Sequence, residues 1–509
     1  MEDQAVVIDM PDKEEKMIKT HQTKGTRSVE PNVASSSQTK EKFKAQEAGA
    51  SRENGGGGGG GSGVAGAMES QQEEEQEQDD EAFKHSLALI ERRLRGSQHG
   101  EGEGGWSPSS CIFLFPLNLS SFQKEFEPEI VSIGPHHRGE THLLSFEKHK
   151  WSFLEKFLSR SRARGKDLGV YLQEMMDCEK RARECYSEIV PLSSHDFVEM
   201  MLLDGCFVVE LLRHLGKSEE VIDEGDPIFT KPWLIPLLIK DLLKLENQLP
   251  YFVLETLFVW SKAKEDVAKH DLRILAFKVF DLVHPLPLEA IDWFQNLEGK
   301  HLLDLFHLSH RQLINVKSIG KQDMYRPSAQ SMPSVTQLKL SGIKFKPGAA
   351  DTFLDINFRR GVLEIPAITM NDFTRSMLVN CVALEQRRGD RVKYFTDYVG
   401  FMSCLISQTR DVTFLCSDGI ITNFSQNDQS VASLFNALGS SDLMNVRDSY
   451  LSKHIKEVEA YYSSNWATMM RNYFSSPWSF IAVFSAAFAI ALTMVQTIMS
   501  VLSYKKQFG

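Results

Sequence analysis

Residues 196–216 read DFVEMMLLDGCFVVELLRHLG, and the way this stretch must fold decides the rest of the chain. It is too long for one strand and carries apolar side chains on nearly every side, interrupted chiefly by Glu199, Asp204 and Glu210. A helix that is hydrophobic all round belongs at the centre of a packed body, not on its surface. Gly216 is placed to end it. The stretch therefore predicts a central helix with other helices around it.

Those helices are legible on either side. In THLLSFEKHKWSFLEKFLSR (141–160), Leu144, Trp151, Leu154 and Leu158 recur at helical spacing, with Thr141 as an N-terminal cap. In YLQEMMDCEKRARECYSEI (171–189) the repeat passes through Leu172, Met175, Ala182, Tyr186 and Ile189. IPLLIKDLLKLENQLPYFVLETLF (235–258) reads as a helix broken at Pro250, where Glu246, Asn247 and Gln248 stand ready to cap the freed backbone. Helical pieces follow at 274–284 and 301–313. The period then changes to two: Leu354, Ile356 and Phe358, then Leu363 and Ile365 beyond Gly361, predict a hairpin, to which GIKFKPG (342–348) adds a third strand. Helices resume from 376 and run to 474.

The two ends differ from this body. Up to about Asp80 the only aromatic residue is Phe43, and the stretch holds a glycine run (55–61) and an acidic run, EEEQEQDDE. Such a segment buries too little apolar area to offset its ordering entropy, so disorder is expected over 1–105 apart from a short amphipathic helix near 82–95. At the other end, SPWSFIAVFSAAFAIALTMVQTIMSVLSYKKQFG (476–509) has no charge between Trp478 and Leu502 and a single amide, Gln496. About 20 mostly apolar residues suffice to cross a bilayer. Trp478 and Tyr504 read as interfacial anchors, and Lys505 and Lys506 as a stop. Ser485, Ala489, Thr493, Gln496 and Ser500 form a small, polar stripe on which a second copy of the helix could pack.

The expected fold class is thus mainly α (α+β). It comprises a helical-bundle body over 106–470 with a small antiparallel sheet near 343–369, one transmembrane helix at 478–502 and a short polar tail at 503–509. A net charge of −11 and a pI near 5.8 argue against a nucleic-acid partner. Seven cysteines lie scattered with no CxxC or metal-finger spacing, and read as reduced and mostly packed. Cys178 and Cys185 on one helix would stand roughly 10 Å apart, beyond disulfide reach. The amino terminus has no signal-peptide pattern.

In order along the chain, VSIGPHHRG, EKHKWSFLEKFL, FVEMMLLDGCFVVEL, IKDLLKLENQLPYFVLETLF, PSVTQLKLSGIKFKPG, FLDINFRRGVLEIPAITMND and WATMMRNYFSSPW resemble the plant family catalogued as domain of unknown function 247. The resemblance runs from about Cys111 to Tyr504; the tail before Cys111 lies outside it, as does Arg138. It implies a plant-specific, largely helical protein with a C-terminal membrane helix and no established enzymatic activity. Some grass members are associated with self-incompatibility.

Candidate chemistry centres on His136 and His137 in IGPHHRG, with Glu199, Asp204 and Glu210 as carboxylate partners. Adjacent side chains diverge, so one metal ion is a poor fit, and no metal or cofactor is expected. The plainer reading is a tight turn at Gly134, Pro135 and Gly139 whose imidazoles bond to carboxylates or backbone, with Asp204 and Glu210 as buried groups capping neighbouring segments. No GxSxG, Walker, Rossmann or HExxH motif is present. The sequence points to a non-catalytic, membrane-anchored protein at the plasma membrane or an endomembrane, acting through a protein partner in signalling or reproduction. The alternative is a hydrolase or transferase built on His136, His137 and Asp204. For topology, the late position of the span favours a cytosolic body, whereas Lys505 and Lys506 against Arg471 favour the opposite. The balance tips to the cytosol.

Overall fold

A computed structural model of the chain describes residues 109–508, apart from 163–164, 217–227, 263–270, 288–289, 315–331, 425–426, 440–448 and 474–476. The expectations for 1–105 lie outside these residues.

The first half is a helical bundle: α1 (Leu144–Arg162), α2 (Leu168–Glu184), α3 (Ser194–Gly216), α4 (Leu234–Leu242), α5 (Tyr251–Ser261), α6 (Leu272–Asp281) and α7 (Leu302–Leu313). Helix α3 is the central one, as its composition requires. It packs against α1, α2, α5 and α6 and buries most of its residues, Asp204 and Glu210 among them. Gly205 lets α5 approach it, since a Cβ there would sit 2.4 Å from the Leu257 Cδ1.

Two of the surrounding helices turn inward only part of the stripe that their spacing suggests: Leu154 and Leu158 of one and Met175, Ala182 and Tyr186 of the other are buried as expected. Helix α1 starts at Leu144, leaving Thr141 in the preceding turn, and buries Phe146, Lys150, Phe153, Leu154, Phe157 and Leu158. Leu144 and Trp151 are half exposed. The reason is Lys150, which lies in the middle of the inward stripe and is scored as polar by any periodicity count. In α2 the buried residues are Tyr171, Met175 and Ala182, with Tyr186 just beyond, while Leu172 and Ile189 stay exposed.

The break between α4 and α5 spans 243–250, longer than a kink at Pro250 alone. Gln248 Nε2 donates to the Leu242 and Lys244 carbonyls (2.8 and 2.7 Å), and Asn247 Nδ2 donates to the Asp241 carbonyl (2.9 Å). The amides therefore do close the end of α4, as the sequence suggests.

In the second half, β1 (Lys344–Gly348), β2 (Asn357–Arg359) and β3 (Val362–Pro366) form a sheet in the order β1-β3-β2. The β2–β3 hairpin turns at Arg360 and Gly361, both with positive φ, and places Phe358 opposite Leu363 on the buried side. β1 adds in parallel, so the sheet is mixed, not antiparallel. A second pair, β4 (Ile368–Met370) with β5 (Ile421–Asn423), is also parallel and was not anticipated. Its strands are three residues long, too short for an alternation to stand out. Helices α8 (Asp372–Arg388), α9 (Tyr394–Leu405), α10 (Thr409–Ser417) and α11 (Asp428–Gly439) cover this part. Asn371 caps α8 by accepting from Thr374 N–H (2.8 Å), and Gly389 ends it with φ +65°. One hydrophobic core runs through both halves, from Cys111 to Val458.

The chain leaves this body through α12 (Ser452–Tyr462) and α13 (Asn465–Tyr473), where Arg471 donates to Ser341 Oγ (3.0 Å) and the Tyr462 carbonyl (2.7 Å). It ends in α14 (Pro477–Phe508). Within α14, Ile481–Tyr504 is 24 residues long with a mean hydropathy of 2.0, and none of its apolar window is buried by the rest of the protein. This is one helix long and apolar enough to cross a membrane. It holds Ser485, Gln496 and Lys506 along one continuous rod, with Trp478 and Lys505 near its ends.

Candidate functional site: the polar seam beneath the histidine turn

The segment from Glu129 to Gly134 belongs to no helix or strand and has no partner strand among the described residues. Its backbone N–H groups are taken by side chains instead. Asp241 at the end of α4 accepts from Glu129, Ile130 and Val131 (2.9, 2.7 and 3.0 Å). Asn247 accepts from Ile133 (2.6 Å) and returns a bond to the Val131 carbonyl (3.0 Å). Asp204, from the middle of α3, accepts from Gly134 (2.9 Å). Buried backbone groups must find partners, and here three side chains replace a neighbouring strand. Burial raises the Asp241 carboxyl above its usual range, against the pull of these same N–H bonds.

Lys150 crosses the seam from α1. Its ammonium, with the residue about 1% exposed, donates to Asp204 Oδ1 (2.7 Å) and the Ser132 carbonyl (2.5 Å) and lies 2.6 Å from Glu147 Oε1. Asp204 is equally buried. Its two oxygens are thus committed to a lysine and a backbone amide, not to an imidazole.

Gly134 turns the chain with φ +79°, and a Cβ there would lie 2.5 Å from the Gln248 carbonyl oxygen. The histidines follow and diverge. His137 is buried, with Nδ1 bonded to Glu140 (2.7 Å) and Nε2 3.2 Å from Glu246 Oε2. Burial opposes its charge, but the two carboxylates outweigh it and hold the imidazole above its ordinary value. His136 packs edge-on against Tyr186, ring centres 5.6 Å apart, and burial pushes it down to about 4. Glu199 lies outside the seam, 3.4 Å from Arg138. Glu210 sits farther along α3 with Arg213 (2.7 Å) and Arg160 (3.1 Å) and joins neither histidine.

Of the sequence-derived candidates, the structure brings His136, His137 and Asp204 into one neighbourhood, yet each is turned to a different partner. Among the described residues no group of three His, Cys, Asp or Glu is placed to hold a metal ion. The residues that complete the seam, Lys150, Asp241, Glu246 and Asn247, come from segments far apart in sequence. Only the clustered Glu-Asn-Gln before Pro250 hinted at them.

Of the cavities elsewhere on the bundle, two are lined by exposed apolar side chains or by thiols. One, of about 480 Å³, lies where α1, α2 and α3 meet and is lined by Trp151, Leu168, Leu172, Met176, Val198 and Leu202. These include the exposed Leu and Trp positions that were expected inside. The other, of about 620 Å³, is bounded by Cys111, Arg181, Cys185, Tyr251, Arg273 and Lys300. On α14 a shallow groove follows Ala489, Thr493 and Thr497, whose hydroxyls fold back onto the Ala489 and Thr493 carbonyls (2.8 and 2.7 Å).

A helical body with a structural polar seam, a small mixed sheet and an appended apolar helix is what the family described as plant protein of unknown function looks like in this chain. The chain belongs to that family, whose profile matches residues 112–492. It is 34% identical over 430 residues to UPF0481 protein At3g47200 of Arabidopsis thaliana, covering 79% of this chain and 88% of the relative. It is 24% identical over 477 residues to Putative UPF0481 protein At3g02645 of the same plant, covering 76% and 89%. No solved structure matches it.

Proposed function

We propose that this is a membrane-anchored, non-catalytic recognition protein whose helical body binds another protein in signalling. The observation that carries the reading is α14: an apolar rod of spanning length that the body leaves wholly uncovered. In water such a surface is costly, and in a bilayer it is satisfied.

The partner surface we assign is the cavity between α1 and α2. Trp151, Leu168, Leu172 and Met176 stay exposed there around a floor of Val198 and Leu202. An amphipathic helix with apolar anchors at i, i+3 and i+4 suits a groove of this kind. The groove on α14 offers a second contact, between two copies of the chain.

Proximity labelling tests both halves of the reading. Full-length protein is compared with a version lacking Trp478–Leu502 and with Trp151→Ala/Leu172→Asp. The anchored protein should label a distinct set of membrane neighbours, and the groove variant should lose its most enriched partner. Identical sets for all three would refute the proposal. Side of the membrane is read from the sequons at Asn118, exposed on the body, and Asn423 in β5. The cytosolic placement expects no glycan. A glycosidase-sensitive mass shift abolished by Asn118→Gln or Asn423→Gln would place the body outside and turn the reading toward reproductive self-recognition.

A further inference from the structure

The first two residues of the hydrophobic core, Cys111 and Ile112, pair with the end of α2. Cys111 and Ile112 N–H both donate to the Cys185 carbonyl (2.8 and 2.9 Å), and Ser187 N–H donates to the Ile112 carbonyl (2.9 Å). This makes a parallel bridge in which Ile112 faces Tyr186. The preceding residues, Cys111 and Cys185, are joined directly by the first of these bonds, with Cys185 still in helical conformation (φ −74°, ψ −22°) as the C-terminal cap of α2. A direct N–H···O=C bond brings the two backbones to about the 4.8 Å spacing of paired chains, inside the Cα separation that a disulfide spans.

Three further observations bear on this pair. Both cysteines are free thiols, each shifts the other's ionisation, and Cys185 Sγ donates to the Arg181 carbonyl (3.4 Å). Both line the 620 Å³ cavity, with Cys185 the more accessible of the two. The cavity rim is of mixed charge, carrying Arg181 and Lys300 beside Glu184, Glu255 and Glu298. The backbone under Cys111 is fixed by His301, whose Nε2 bonds to the Cys111 carbonyl (3.0 Å). The two residues are thus held side by side by main-chain bonds that do not depend on either sulfur.

We propose that Cys111 and Cys185 form a redox-active dithiol that exchanges with a small zwitterionic disulfide bound in this cavity. Cys185 is the attacking group. The hydrogen bond from Cys111 is the first cause that holds its thiol below the usual range, Arg181 and Lys300 add to it, and burial opposes it. Cys111 is held above that range by the same bond and by burial. In the first step the Cys185 thiolate attacks one sulfur of the small disulfide, whose S–S bond breaks. One small thiolate leaves and takes up the proton released by Cys185. Cys111 then loses its proton and attacks the Cys185 sulfur of the mixed disulfide, expelling the second small thiolate, which takes that proton. The protein loses two electrons and two protons, and the small disulfide becomes two thiols.

The test uses the full chain in detergent, incubated with oxidised glutathione, alkylated, digested and mapped by mass spectrometry. The expected product is a single internal crosslink joining the Cys111 and Cys185 peptides, at glutathione ratios that leave Cys178, Cys404 and Cys416 alkylated. Cys111→Ser should trap one glutathione on Cys185, and Cys185→Ser should abolish both products. Two outcomes overturn the proposal: equal glutathione incorporation at Cys178, Cys404, Cys416 and Cys185, or a fully alkylated Cys111 and Cys185 in wild type. Since the wild-type crosslink decides the matter alone, a variant that fails to fold does not obscure it.

Discussion

Replacing Asp204 with Asn changes one charge at the centre of the bundle without changing the side chain's size. Asn keeps an oxygen for the Gly134 N–H, but it presents a neutral amide to Lys150, which is about 1% exposed. Removing one member of a buried pair costs about 3–5 kcal/mol, most of it from the stranded charge. Glu147 remains 2.6 Å from the ammonium with a quarter of its side chain exposed, so the cost should fall at the lower end, about 3 kcal/mol. That raises the unfolded fraction about a hundredfold, at 1.4 kcal/mol per decade, and is a large share of the ~5–15 kcal/mol that holds a domain together. The assay is equilibrium urea unfolding of the full chain in detergent, followed by far-UV circular dichroism. Adding Lys150→Met removes the stranded ammonium and should return at least half of the loss. A cost below about 1 kcal/mol, typical of exposed pairs, would refute the reasoning. So would a double variant less stable than the sum of the single ones.

Other outcomes follow from the same geometry. Gly134→Ala combines a left-handed φ with a Cβ 2.5 Å from the Gln248 carbonyl and should cost at least about 2 kcal/mol; unchanged thermal stability would show that the turn relaxes. Burial pushes His301 and His284 to about 4 and His310 well below its ordinary value of 6.5. These folded values lie below the unfolded ones, so the stability they allow is complete above about pH 6.5 and is lost as pH falls from there toward 4. His137 works the other way, contributing below 6.5 and fading as pH rises through its raised folded value. So does Asp397, which burial pushes up to about 7 and which also fades as pH rises, but burial holds His136 at about 4 and lowers His454, so the lowered imidazoles outnumber these two. Urea midpoints should therefore drop between pH 7 and 5, and His301→Gln should flatten the drop; a level profile in wild type would contradict the argument. Ala489→Leu should fill the groove on α14 and weaken pairing in a membrane two-hybrid assay, whereas Leu492→Ala should have little effect; equal signals would remove that contact.

How much of this was legible depends on what each residue's spacing encodes. The central helix, the hairpin at Gly361 and the apolar rod at the C-terminus all write themselves into local pattern: continuous hydrophobicity, alternation, and length without charge. The inward face of α1 does not, because its middle position is Lys150, whose burial makes sense only once Asp204 is known to sit opposite. The same holds for α2, where Tyr171 and Leu172 are adjacent and either could lead the stripe. The parallel pairing of β1 with β3 and of β4 with β5 depends on contacts between separate segments that no local period records. At the site, the glycine turn and the capping amides before Pro250 were readable; the partners that hold the histidine segment were not. The pairing of Cys111 with Cys185 was hidden for a similar reason, since it arises from a bridge between two segments about 75 positions apart.

The segment from Glu129 to Gly134 has an order of assembly written into it. A strand in a sheet can be recruited by its neighbour's backbone, residue by residue. This one can settle only after acceptors 70 to 114 positions away in the chain have reached their places: Asp204 on a formed α3, and Asp241 and Asn247 around a finished break after α4. Each contact closes a long loop before it returns anything. The histidine turn is therefore a late-docking element, a latch that closes over a bundle already built. Its amides should be among the first of the buried set to exchange with solvent when the body loosens.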